Sequence, residues 1–336
     1  MAVTIKDIAK YAGVSVTTVS RALNGYPDVS EETRERIKKI AEQLNYTPNS
    51  LARGLVTNKT HTVGLVVSEL IKPGAYHPFF LEVLAGIKAG LKKDKYDLIL
   101  FTVDPESQDA TSYEKLCNDR KVEGAIVEGL RLSDPYIKEI KKTQIPTVLI
   151  DIPILTDKVG YVSSDNVQAA FEATSYLIKL GHRNIGFING HDDAAVSFER
   201  LEGYKKALKK NNIPYKEEYV VFDDFTQEGG YNSFKMLVFE HPEITAVFHA
   251  SDLMAIGSFK AAKDLGMKVP DDISIVGFDD IELASLITPG LTTIRQDTFK
   301  MGYNAAKHLL SIIKGEKPQH ILIPHKLVIR DSARKI

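Results

Sequence analysis

Four side chains near the start of the chain have the types and spacing to read DNA bases: Val16, Thr17, Ser20 and Arg21. If residues 16–23 form a helix, these four lie outward, while Val19 and Leu23, four apart, face a neighbouring element. An Arg can bond the O6 and N7 edge of guanine with both guanidinium arms, and Val or Thr methyl groups can meet a thymine methyl. Spacing alone is weak, since a small helical hairpin with a solvated outer face shows the same pattern. A second set of candidates sits at expected strand ends far downstream: Asp151, Asn189, Arg200, Asp252, Asp279 and Gln296. Carboxylates and a guanidinium can hold the paired hydroxyls of a sugar, and an aromatic face can pack on its ring. The chain has no Trp, so that face would come from Tyr76, Phe80 or Phe225. Each has a plainer reading: Asp279 and Asp252 could cap the helices that follow them, and Phe80 could be core.

Catalytic patterns are missing. There is no G-x-S-x-G, H-E-x-x-H or phosphate-loop sequence. The nine His are scattered and none pairs with Cys117, the only cysteine. Asp223-Asp224 and Asp279-Asp280 could suggest a metal site, but adjacent acids usually cannot both face one ion, and solvated turns explain them better. The expectation is no enzyme, no metal and no cofactor.

The elements that would position the first set are short. Thr4 can cap a helix with Asp7 three positions on, and Ile5, Ile8, Ala9 and Ala12 then make one apolar stripe. Gly13 can end it with positive φ, and Val14 follows as a buried plug. Ser15 can cap a second helix, Val16 to Leu23, which Asn24-Gly25 stops. Two such helices about a tight turn form a helix-turn-helix. Ser30 can cap a third, with Glu31 and Glu32 near its positive end and Thr33, Ile37, Ile40, Ala41 and Leu44 inward.

Taken together, residues 1–55 closely resemble the start of the LacI/GalR family of bacterial transcription regulators. The matching runs are Ile5-Lys6-Asp7-Ile8-Ala9, Gly13-Val14-Ser15, Thr18-Val19-Ser20-Arg21, Asn24-Gly25, Val29-Ser30, Thr33-Arg34, Asn45-Tyr46 and Pro48-Asn49. With the resemblance, the DNA-contacting set becomes Thr4, Ser15, Val16, Thr17, Ser20, Arg21, Asn24, Tyr46, Asn49, Ala52 and Leu55. Residues 46–60 read as a linker, and Asn49 could cap a short helix over 50–56 that is too short to be stable alone. The resemblance implies a hinge helix that folds on DNA, with Leu55 wedged into the minor groove, a physically sound way to kink a base step.

Beyond the linker, strands alternate with helices. Strands are expected at 62–67, 96–102, 124–127 and 145–150, with helices at 79–93, about 107–119 and about 133–142. The pattern then restarts, with strands at 182–188, 219–222, 246–249 and 273–276 and helices between them, one of which includes Arg200-Leu201-Glu202-Gly203-Tyr204. Such repetition implies parallel sheets covered on both faces, with ligands outside the carboxyl ends of the strands. The resemblance extends through Asp165-Asn166, Gly181-His182-Arg183-Asn184-Ile185, Ser251-Asp252, Gly277-Phe278-Asp279-Asp280 and Leu291-Thr292-Thr293-Ile294. It implies an α/β protein in which an all-α helix-turn-helix DNA-binding head joins a two-lobed, doubly wound body like that of periplasmic binding proteins. The boundaries expected are 1–45 for the head, 46–60 for the linker, 61–162 plus about 292–324 for the first lobe, and 163–291 plus about 325–336 for the second. It also implies effector contacts for Asp151, Arg200, Phe225, Asp279 and Gln296. Residues 68–78 form a longer loop than the family pattern has, so the effector cannot be copied from a known member.

Size and charge set outer bounds. A chain of 336 residues suits about two domains, and 43% hydrophobic with 26% charged residues suits a globular protein. Residues 1–60 hold nine basic and six acidic side chains, a net +3, against 34 and 38 in the remainder, a net −4. A basic head on an acidic body fits a DNA-binding module attached to a sensor. A single Cys excludes an internal disulfide. With no membrane-spanning apolar run and no hydrophobic signal core, the expected location is the cytoplasm. The reading is therefore a homodimeric repressor on a palindromic operator, controlled by a small effector, a mono- or disaccharide. A regulator answering to a phosphorylated partner protein or a co-repressor uses the same parts. A sugar transport protein would share the body but not the head.

Overall fold

The computed structural model describes residues 3–23, 26–44, 46, 60–68, 78–103 and 111–336. It divides at His61 into a head and a body, each described here by itself.

The head is three helices: α1 (Ile5–Ala12), α2 (Val16–Leu23) and α3 (Glu31–Gln43). Thr4 opens α1, its backbone N–H and hydroxyl both donating to Asp7 at 2.8 and 2.7 Å. Gly13 closes the helix at φ 64°, where a side chain would be strained. The Ser15 hydroxyl accepts the Thr18 N–H at 3.0 Å, and that of Ser30 accepts the Thr33 N–H at 3.4 Å, so both later helices start as the sequence indicated. Ile8, Val19 and Ile37, one from each helix, meet in a fully buried centre. Val14, expected to be buried, is half-buried at its edge.

The body holds twelve strands among the described residues: β1 (Thr62–Ser68), β2 (Asp97–Val103), β3 (Ala125–Glu128), β4 (Thr147–Ile150), β5 (Val159–Ser164), β6 (Ile185–Asn189), β7 (Val220–Phe222), β8 (Ala246–His249), β9 (Ser274–Asp279), β10 (Thr292–Gln296), β11 (His320–Ile323) and β12 (His325–Val328). They form two six-stranded sheets, ordered β11-β5-β4-β3-β1-β2 and β12-β10-β9-β8-β6-β7. Every pairing is parallel except that of β12 with β10. The first five strands of each sheet thus repeat one order, and in both the order reverses beside the first strand, the place where open sheets bind ligands. Central strands such as β1, β3 and β4 are buried on both faces, which explains their unbroken apolar runs.

Nine helices cover the sheets among the described residues: α4 (Pro78–Lys92), α5 (Tyr113–Asp119), α6 (Pro135–Ile140), α7 (Asn166–Lys179), α8 (Ala195–Lys210), α9 (Gln227–Glu240), α10 (Asp252–Asp264), α11 (Glu282–Leu286) and α12 (Thr298–Ile313). The chain passes between the sheets three times, after Ser164, after Gln296 and at Pro324. Asp165 and Asp297 sit at the first two passages and cap the helices beyond them, accepting from Gln168 and Lys300 N–H groups at 2.9 Å each. The return from the second lobe therefore falls after Gln296. The expectation that about 292–324 belongs to the first lobe is corrected for β10, which lies in the second sheet between β9 and β12. The following helix, α12, does join the first lobe. It lies so close to α4 that a Cβ on Gly302 would come within 2.0 Å of the Val83 carbonyl oxygen. Among the described residues no helix is long and apolar enough to cross a membrane.

Candidate functional sites

On the head, α2 turns Val19 and Ala22 inward and leaves Val16, Thr17 and Arg21 exposed, with Ser20 half-buried. Arg21 is not a loose side chain. Its guanidinium pairs with Asp28 at 2.6 Å and lies over the Tyr26 ring, 5.1 Å from the centroid. The loop that presents Asp28 is tied down by Arg34, which donates to the Tyr26 and Val29 carbonyls at 2.9 and 3.2 Å. The hydroxyls of Thr4 and Ser15 are engaged as helix caps. Tyr46 packs against the head core, its N–H donating to the Ala41 carbonyl at 2.8 Å. Asn24, Asn49, Ala52 and Leu55, together with the hinge helix, lie outside the described residues.

In the body, a cavity of about 360 Å³ opens between the two sheets. Its walls are mostly apolar, with Phe79, Phe80, Leu130, Ile150, Val196 and Phe225 among them. Polar groups come from strand ends of both lobes: Glu128 at the end of β3, Asp151 after β4 and Asp279 at the end of β9, with Arg200 reaching in from α8. Four of the sequence candidates for a ligand contact therefore face one cavity with Phe80: Asp151, Arg200, Phe225 and Asp279. Phe80 also packs against the first-lobe core, so its two readings both hold. Tyr76 lies outside the described residues.

Three candidates, Asn189, Gln296 and Asp252, do not line the cavity. Asn189 is fully buried behind it, donating to the Ser197 carbonyl and accepting from the Gly190 N–H, each at 2.9 Å. It fastens the end of β6 to α8. Gln296 stands one layer back and donates to Asp279 at 2.8 Å. Asp279 is no helix cap, because Ile281 occupies that place before α11. Asp252 does not cap α10 either. Ser251 does so, while the buried Asp252 carboxylate accepts from the Ile281 N–H and the Thr293 hydroxyl. The paired acids diverge: Asp279 faces the cavity, and Asp280 pairs with Arg295 and Arg330 at 2.5 and 2.6 Å. Asp223 and Asp224 hold the loop before α9 through Ser233 and Thr226.

The electrostatics are lopsided. Arg200 is the only buried Arg or Lys among the described residues. Its Nε donates to Asn166 at 2.9 Å, an Nη bonds the Ala250 carbonyl, and its plane lies 3.8 Å from the centre of the Phe278 ring. Burial lowers its pKa, while Asp279, Asp151, Glu199 and Asp252 act to raise it. The acids respond in turn. Burial pushes Asp151 and Asp279 up to about 6 against the pull of Arg200, and pushes Glu199 up to about 7. Glu128 rises furthest of the acids lining the cavity, to about 8, through burial and then the neighbouring Asp151 charge. Glu128 was missed in the sequence, although a carboxylate closing the apolar run Ala125-Ile126-Val127 was a signal for it.

The lobes also touch where the cavity meets solvent. The Leu132 N–H donates to the Asp193 carbonyl at 2.9 Å, the Ser133 hydroxyl to the Asp193 carboxylate at 2.5 Å, and Arg131 meets His191 at 3.5 Å. Loops after β3 and β6, one from each lobe, thus form a clasp that nothing in the local sequence announced.

Comparison with known proteins matches residues 4–49 to the pattern of bacterial regulatory proteins of the lacI family, and residues 174–333 to the periplasmic binding protein-like domain. A probable HTH-type transcriptional repressor from Bacillus subtilis, ExuR, is 37% identical over 99% of both chains. Catabolite control protein A from Priestia megaterium is 34% identical over 99% of this chain and all of its own. Among solved structures, the lac repressor dimer bound to operator and an anti-inducer superposes with a TM-score of 0.83 at 28% identity, covering 99% of this chain and 100% of that one. A complex of the regulator CelR with cellobiose gives 0.75 at 32% identity, covering 98% and 99%. The three-helix head, the doubled sheet order and these full-length matches agree: the chain belongs to the LacI family of bacterial transcription regulators.

Proposed function

We propose that the protein is a homodimeric repressor whose grip on a palindromic operator is released by a sugar bound in the cavity between the lobes. The observation that carries this reading is the joining, in one chain, of an exposed Arg21-bearing helix to a cavity where carboxylates and the buried Arg200 guanidinium face aromatic walls. Carboxylates suit sugar hydroxyls, and Phe79, Phe80 and Phe225 suit the apolar face of a sugar ring. Solved relatives support the ligand class, one holding cellobiose and another, from Enterococcus faecium, holding ribose. Two heads are needed because one short helix reads few bases, and a two-fold pair doubles the site. Large apolar side chains left exposed on the body, Leu81 on α4 and Leu286 on α11, favour a second copy of the chain.

Release follows from linkage. A ligand shifts the arrangement of the lobes only if it binds one arrangement better than another. A sugar that binds one arrangement better than the one operator DNA selects lowers operator affinity. Operator DNA selected from a random pool provides the test. Mono- and disaccharides that raise the melting temperature should also lower operator affinity, and sedimentation should show a dimer. A monomer both free and on DNA, or sugars without effect on either quantity, would refute the proposal.

A further inference from the structure

Within the sugar-binding reading, on which this inference rests, the cavity also has a preference of charge. We propose that it accepts a sugar whose buried end offers hydrogen-bond donors and no negative charge, and that Glu128 is the residue that turns away sugar acids and sugar phosphates. The first ground is unfilled acceptors. Glu128 is 7% exposed, and its Oε2 has no hydrogen-bond partner. The Oδ1 of Asp151, across the same cavity wall, is likewise buried without a partner. An ionised carboxylate only accepts, so a ligand completes such a pair by bringing hydroxyl or ammonium donors. Groups left unsatisfied in a closed site are costly, which makes the pair selective rather than merely permissive.

The second ground is the balance of charge. Carboxylates of Asp151, Asp279, Glu199 and Asp252 act on Arg200, the single buried Arg or Lys among the described residues, and Glu128 adds a fifth acid through Asp151. Arg200 itself is engaged with Asn166, the Ala250 carbonyl and the Phe278 ring. The other Arg on the wall, Arg131, stands at the clasp facing Asp193 and is far more exposed than Glu128. Once Glu128 is ionised, above its raised pKa of about 8, a ligand anion buried against Glu128 and Asp151 would meet like charge at short range in a poorly screened place. Burial, and after it the Asp151 charge, raises the pKa of Glu128, while burial raises that of Asp151 against the pull of Arg200.

The test is calorimetric titration of the intact protein with glucose and galactose, their 2-amino sugars, their uronic acids and their 6-phosphates. The expected result is that a neutral or amino sugar binds at least about tenfold more tightly than its acid and phosphate counterparts. In titrations run at about pH 9, where Glu128 is ionised, Glu128→Gln keeps the size of the side chain and removes the charge, and should narrow that ratio to about threefold or less. Its thermal transition, measured alongside, confirms that it folds. A uronic acid or phosphate that outbinds its parent sugar would overturn this inference and leave the sugar-binding reading intact. An unchanged ratio in Glu128→Gln would remove Glu128 from the role. No binding by any of these sugars would overturn both.

Discussion

Arg21 illustrates how one side chain can be prepared for a partner. Its pair with Asp28 is half exposed on both sides and adds little stability, but with the Tyr26 ring it holds the guanidinium in one place. Arg21→Ala should weaken binding to the selected operator by about 1–3 kcal/mol and relax preference at one base position. Equal losses on operator and random DNA, measured by anisotropy, would instead make Arg21 a phosphate contact. Glu128 yields a prediction about pH. Its carboxyl stays protonated up to about pH 8 in the folded protein, against an ordinary value of 4.5. Between those values the folded chain binds more protons than the unfolded one, so stability falls as pH rises through the window and the loss is complete above it. Glu128→Gln has no such loss. Its advantage over wild type in urea unfolding should be near zero at about pH 4 and grow to a few kcal/mol at about pH 9. A difference that stays flat across pH would show that Glu128 is ionised in the fold.

Elements explain why some of these residues meet and others do not. Asp151 and Asp279 could be picked out because polar groups at the carboxyl ends of parallel strands face the cavity. The same rule pointed to Asn189 and Gln296, which neighbours claim: Asn189 by Ser197 and Gly190, Gln296 by Asp279. Side-chain direction at a strand end depends on which helix packs beside it, and sequence periodicity does not carry that. Long helices were legible because one-sided burial imposes a period, and central strands because burial on both faces gives unbroken apolar runs. The placement of β10 was not, since its pairing with β9 and β12 spans distant parts of the chain. The clasp between 131–133 and 191–193 escaped for the same reason. Close packing at a loop gives a further prediction. A Cβ on Gly190 would lie 1.8 Å from the Phe225 ring, which sits on a residue with φ 61°. Gly190→Ala should displace that ring and weaken sugar binding by about tenfold or more, with far-ultraviolet circular dichroism unchanged. Undiminished binding would remove Phe225 from the ligand site.

At the scale of the whole molecule, the account joins two parts that are separately intelligible. A basic three-helix head can bind DNA, and a two-lobed body can enclose a sugar, but regulation requires that each sense the other. Thermodynamic linkage makes the claim quantitative, because whatever factor the sugar takes from operator affinity, the operator must take from sugar affinity. Arg200 is a poor probe of that coupling, since its bonds to Asn166 and Ala250 also hold the second lobe together. Asp279→Asn is better, because Asn tolerates the positive φ of 116° at that position and removes only the charge. The most direct measurement is a two-way titration: operator affinity against sugar concentration, and sugar affinity with and without saturating operator, for wild type and Asp279→Asn. The account predicts one coupling factor of about 5 to 150 from both directions in wild type, and operator binding by Asp279→Asn that persists but no longer answers to wild-type sugar concentrations. Operator affinity that stays constant while the cavity fills, or a mutant that responds as wild type does, would contradict it.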